Sequence, residues 1–202
     1  MNRKSSLLIR SLLALLLLSL PATADAHTAI SGVGDFLGGA LHPLMTPTHL
    51  LVLLALGLLA AQHSSLQLNI SLAVFISFSA LGLLLTTTGL VKTVYPPVLI
   101  GIALVAGVLV VLEKPLPAIA NGAIFTLAAL ALGLDSAVEN GSAAVITKTL
   151  LGTWLGLILA VADMAYYLSL LTRQRWQQIG IRVAGSWISA ASLMILAFAL
   201  RR

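Results

Sequence analysis

Long apolar stretches recur along this chain, and only short polar segments separate them. Six such stretches cover residues 50–61, 68–91, 97–112, 118–134, 145–171 and 181–200. Because a bilayer core holds no water to satisfy backbone amides and carbonyls, apolar stretches of this length form helices there. The pattern predicts an all-α fold, a polytopic membrane bundle of about six transmembrane helices in one domain over residues 27–202. Gly152 and Gly156, four residues apart in the fifth stretch, predict close helix contact, with dimerisation as the alternative.

The composition narrows the class of protein further. Of the 202 residues, 59% are hydrophobic and 8% are charged, whereas soluble domains carry roughly a quarter charged residues. The absence of cysteine excludes disulfides and thiolate-bound metals. The positive charges are scattered, and no basic run is typical of nucleic-acid binding. The composition therefore indicates the lipid bilayer as a partner and argues against a nucleic acid.

Residues 1–26 have the three-part pattern of a signal peptide. Basic residues precede the apolar core 12–20, and the small residues Ala24 and Ala26 mark a cleavage site. The alternative is an uncleaved signal anchor, although this core is shorter than the ~20 residues that span a bilayer. Cleavage leaves His27 as the new N-terminus outside the cytoplasm. We therefore predict a multi-pass protein of the bacterial inner membrane, with its mature N-terminus in the periplasm.

The first span is interrupted by two prolines. Pro43 and Pro47 each remove a backbone amide, and Thr46 before Pro47 is typical of a helix start. A helix from Pro47 to Gln62 rises only about 24 Å, short of the ~30 Å hydrocarbon core. Residues 34–41 are therefore expected to enter the membrane as a second piece or as a re-entrant turn. In transporters, such breaks commonly form the substrate site.

Two histidines and one carboxylate are the main candidates for binding a metal. His42 and His49 bracket the break, and imidazole suits divalent transition metals. The alternative is an ordinary short helix whose histidines are wetted by lipid headgroups. Asp163 lies within the fifth stretch, where an ionisable group is a candidate for function. We expect it to face the bundle with His49 as its partner, the alternative being a protonated or hydroxyl-bonded structural aspartate.

Two further candidates, Glu139 and His27, lie at the predicted outer mouth. Glu139 and Asp135 flank a loop there, with solvated carboxylates as the plain alternative. After cleavage, His27 offers an amine and an imidazole that chelate copper or nickel, the alternative being a flexible terminus. No Ser/His/Asp set, phosphate-binding loop or HExxH motif is present. We therefore expect no enzyme activity and no tightly bound cofactor, only a bound or transported divalent metal: nickel, cobalt, copper or manganese.

The motifs as a set resemble the HupE/UreJ family, small membrane proteins associated with nickel supply to hydrogenases and ureases. Members open with a signal peptide that ends in Ala-His-Thr, which is residues 26–28 here. A His-Pro-x-x-Gly-x-Asp-His pattern and a Gly-x-x-Ala-Ala-Gln ending follow. This chain matches them with His42-Pro43, His49-Leu50-Leu51, and Gly57 followed by Ala60-Ala61-Gln62.

The chain departs from the family pattern at several positions. Thr46 and Thr48 replace the glycine and the aspartate of the first motif. The fourth span of the family carries His-Gly-His-Ala-His-Gly-x-Glu, and residues 132–139 correspond to it without any histidine. A further family histidine corresponds to Asp163. The resemblance implies a nickel-type permease. The missing histidines suggest an alternative, a degenerate accessory or metal-holding subunit, with a membrane metalloenzyme or a homo-oligomer as its partner.

Overall fold

The computed structural model describes residues 34–89, 94–138, 141–170 and 174–201. These residues form seven α-helices and no β-strand, so the all-α prediction is confirmed. The predicted signal peptide, with His27 after it, lies outside the described residues. The helices are α1 (Asp35–Met45), α2 (Pro47–Ala61), α3 (Ser65–Thr86), α4 (Pro96–Leu112), α5 (Ala118–Leu134), α6 (Ala143–Leu170) and α7 (Arg175–Ala199).

Several of these helices are suited to crossing a membrane. Helices α3, α6 and α7 are each long and apolar enough to do so, and the bent pair of α1 and α2 is apolar enough to form a fourth, broken span or a re-entrant loop. Helices α4 and α5 are apolar and have 17 residues each, which corresponds to about 26 Å. The structure therefore confirms a helical membrane bundle, while the count of six spans stays a prediction.

Helix α2 is the centre of the bundle. Ten of its 15 residues are buried, and it contacts α4 and α6 most extensively, with smaller contacts to α7 and α1. After Pro47-Thr48-His49 its sequence is apolar on every side, which is typical of a helix in a protein core or of a membrane span. His49, in the first turn of α2, is one of these buried residues.

Glycines bring three pairs of helices into backbone contact. Gly152 and Gly156 of α6 lie against the backbone of α1, so the predicted packing role of this pair is confirmed. A Cβ atom at Gly152 would lie 1.9 Å from the carbonyl oxygen of Phe36. The other two contacts join α3 to α5 at Gly82 and Gly133, and α4 to α7 at Gly107 and Gly185.

The start of α7 differs from the sequence prediction. The polar residues before 181 were expected to form a loop, yet α7 begins at Arg175. A capping box explains the early start, because the side chains of Gln174 and Gln177 each bond the backbone of the other residue. The predicted helix start at Pro47 is confirmed, since Pro47 is the first residue of α2. Helix α4 likewise begins at a proline, Pro96.

The predicted topology can be tested with single cysteines, because the chain has none of its own. Ser142 and Pro115 are exposed at opposite ends of the bundle, separated by α5. With the mature N-terminus in the periplasm, Ser142→Cys should react with an impermeant maleimide on intact spheroplasts. Pro115→Cys should react only after the membrane is opened, and the reverse labelling pattern would contradict the topology.

Candidate metal site

The break between α1 and α2 brings two histidines together. The two helices differ in direction by 73°, and Thr46 between them has an extended backbone. The threonine does not cap α2; its hydroxyl donates to the carbonyl of His42 at 3.0 Å. The rings of His42 and His49 meet edge to face, with centroids 5.5 Å apart. The predicted break is therefore confirmed, and the bend makes the two imidazoles neighbours.

His49 is held by a carboxylate from another helix. Its Nε2 lies 2.9 Å from Oδ2 of Asp135, the residue that follows α5. The His49 side chain is fully buried, and 20% of the Asp135 side chain is exposed. An ionised carboxylate only accepts hydrogen bonds, so with such a partner Nε2 of His49 carries a hydrogen and donates it to Oδ2 of Asp135. In the neutral ring, the lone pair is then on Nδ1.

The second ring nitrogen of His49 is the unusual atom of the site. Nδ1 is buried and has no hydrogen-bond partner among the residues that the structure describes. A buried polar atom without a partner costs about 1–3 kcal/mol. Histidines that bind metals characteristically hold a carboxylate or carbonyl on one nitrogen and the metal on the other. His49 and Asp135 have the first half of that arrangement, and Nδ1 is available for the second.

The expected pairing of Asp163 with His49 is wrong, because Asp135 is the carboxylate that contacts His49. Asp163 is exposed on α6 rather than turned into the bundle. It lies seven residues after Gly156 and so on nearly the same face of the helix. Helix α1 covers this face at Gly152 and Gly156, but α1 has only 11 residues. The face is therefore uncovered at the level of Asp163.

The end of α5 and the residues after it correspond to the histidine-rich run in the HupE/UreJ pattern, residues 132–139. Leu132 is fully buried in the core, and the buried Ser136 donates to the Leu132 carbonyl at 2.7 Å. The Leu132 side chain has no atom that binds a metal, and the Ser136 hydroxyl is hydrogen-bonded within its own helix end. Asp135, directly after α5, is the described ionisable residue of this run, and it contacts His49. Its place inside that run was the one indication in the sequence that it belongs to the site.

The predicted site residues are therefore brought together only in part. His42 and His49 lie together with Asp135, whereas Asp163 lies elsewhere, and His27 and Glu139 lie outside the described residues. Within residues 34–89, 94–138, 141–170 and 174–201, no three histidine, aspartate or glutamate side chains are placed to hold a metal ion together. The described part of the site thus offers two imidazoles and one carboxylate that orients the buried ring.

A comparison with known families adds to this geometry. The model of the family described as HupE / UreJ protein matches residues 13–195, which is most of the chain. No curated protein and no solved structure matches the chain significantly. The chain therefore belongs to the HupE/UreJ family, whose members are transporter-like membrane proteins rather than known enzymes.

Proposed function

We propose that this protein is a permease for a divalent transition metal of the nickel type. The observation that carries the proposal is His49, a fully buried imidazole with Asp135 on Nε2 and no partner on Nδ1 within the described part of the chain. Imidazole nitrogen is a preferred ligand of nickel and related metals. A metal on Nδ1 would satisfy the one polar atom of this side chain that has no partner.

The broken first span supports transport rather than a purely structural role. A continuous helix satisfies its backbone internally, whereas the bend at Thr46 places the ends of two helices beside His42 and His49. Breaks of this kind are tolerated at membrane depth where they are buried or line a cavity, and transporters use them for substrates. In this proposal, His42 and His49 bind the metal as it passes, and Asp135 orients His49.

Uptake of nickel into proteoliposomes tests this proposal. The full chain should accumulate nickel above protein-free vesicles, and uptake should saturate with concentration. The His42→Ala/His49→Ala variant should take up no more than the protein-free vesicles, because both proposed ligands are lost. Equal uptake by the parent and the double variant would contradict the proposed site, and no uptake by the parent would contradict the permease.

One observation favours a second candidate, a subunit that holds metal for a membrane enzyme without transporting it. No set of three His, Asp or Glu ligands forms within the described ranges, and Leu132 and Ser136 replace family histidines. The two candidates differ in a simple measurement. Nickel that copurifies with the protein, without any uptake into proteoliposomes, would favour the metal-holding subunit.

A further inference from the structure

The end of the bundle opposite His42 and His49 carries a concentration of positive charge. Two adjoining cavities of about 460 and 260 Å³ open there, and Glu113 and Gln178 border both of them. The larger cavity is lined by Lys114, and the smaller one by Arg175 and Arg182. We call these three cations with Glu113 and Gln178 the basic end.

Only one of the three cations is neutralised by an ion pair. Arg182 lies 3.6 Å from Glu113 and also donates from Nε to the carbonyl of Val111 at 3.0 Å. Lys114 and Arg175 are exposed and form no ion pair with the described residues. The basic end therefore has two uncompensated positive charges beside two open cavities.

The opposite end of the bundle lacks this imbalance. Among the described residues there, the carboxylates of Asp35 and Asp135 accompany the cations of Lys148 and Arg201. The charge at the basic end is therefore a local feature and does not only reflect the basic composition of the chain. Three cations line the two cavities there, and Glu113 is the one carboxylate among the lining residues.

The first turns of α7 combine these cations with apolar surface. Arg175, Gln178 and Arg182 follow one another at spacings of three and four residues, so they share one face of the helix. Large apolar side chains are exposed next to them on the same helix, and they continue away from the basic end: Trp176, Ile179, Val183 and Trp187. Exposed tryptophan beside helix ends is typical of the membrane interface.

We infer that the basic end binds the headgroup of an anionic phospholipid. The unpaired positive charges of Lys114 and Arg175 attract the phosphate of the headgroup, and the guanidinium of Arg175 offers it parallel N–H donors. Ile179 and Val183 are exposed next to these cations. The acyl chain of the same lipid would cover them, whereas a soluble phosphate would leave them uncovered. Basic pockets between helix ends at the membrane surface bind acidic headgroups in this way.

Fluorescence quenching of Trp176 by brominated lipids tests this inference. The full chain with Trp154→Phe and Trp187→Phe is placed in phosphatidylcholine nanodiscs, so that Trp176 is the remaining tryptophan. Brominated phosphatidylglycerol should quench it at a several-fold lower mole fraction than brominated phosphatidylcholine. Lys114→Gln/Arg175→Gln should remove most of this preference, because both unpaired cations are lost. These two residues are chosen because the Arg182–Glu113 pair stays intact.

Matched variants and a soluble competitor complete the test. Lys148→Gln/Arg201→Gln removes the same charge from the opposite end and should leave the preference unchanged. Equal quenching by both lipids, or an equal loss in both double variants, would overturn the inference. Loss of the preference on adding inorganic phosphate at constant ionic strength would also overturn it, because the site would then bind a soluble phosphate. Size-exclusion profiles like that of the parent confirm that each variant is folded.

Discussion

Replacing Asp135 with alanine is expected to lower the affinity for nickel by about 100-fold. Carboxylates that orient a metal-binding histidine typically contribute 10–100-fold to affinity without touching the metal. Asp135→Asn should cost less, about tenfold, because its amide oxygen still accepts the hydrogen on Nε2 of His49 but lacks the negative charge. His49→Ala should abolish binding. Isothermal titration calorimetry with nickel measures the affinity of the purified parent and of all three variants.

Asp163→Asn is the matched control for this series. It removes the same charge from an exposed position on α6, so the nickel affinity should equal that of the parent. A large loss in Asp163→Asn together with parent-like affinity in Asp135→Ala would contradict the arrangement described for the site. It would then restore the partnership between Asp163 and His49 that the sequence alone suggested.

The two aspartates show why the site could be predicted only in part. Asp163 stands in the middle of an apolar stretch, which made it the natural candidate. Its exposure depends on the length of α1, which covers α6 at Gly156 but not one heptad further on. Asp135 stands at a helix end, where a solvated carboxylate is the common case. Its contact with His49 is a tertiary contact between residues 86 positions apart, and no local pattern contains it.

The fold was more accessible than the site, for a physical reason. Each helix in a membrane satisfies its own backbone, so apolar length alone indicates most of the elements. The prolines at 43 and 47 likewise indicated the break after α1. The early start of α7 was missed because its first turns are polar, and hydropathy does not register a capping box between Gln174 and Gln177. Helix α1, which ends at the bend between His42 and His49, packs against α6.

That packing leads to the second large expected effect, at Gly39 of α1. A Cβ atom there would lie 2.2 Å from the carbonyl oxygen of Thr149, which is backbone and cannot rotate away. Gly39→Ala should therefore push α1 away from α6 by about 1 Å, since carbon and oxygen atoms approach to roughly 3.3 Å. The hydrogen bond from the Thr153 hydroxyl to the Gly39 carbonyl, 3.1 Å long, would be weakened as well. Overpacking of this kind typically costs about 1–3 kcal/mol of stability.

The same displacement should reach the metal site, because His42 is one turn further along α1. Metal–ligand distances tolerate deviations of only about 0.2 Å, so Gly39→Ala should lower the nickel affinity as well as the unfolding temperature.

Gly38→Ala is the matched control, since a Cβ atom at the adjacent position meets nothing within 4 Å. It should keep parent-like affinity and unfold at the same temperature or slightly higher, because alanine favours a helix over glycine. Thermal unfolding and nickel titration of both variants in detergent measure the two effects. Equal behaviour of the two variants would mean that contact between α1 and α6 does not position His42.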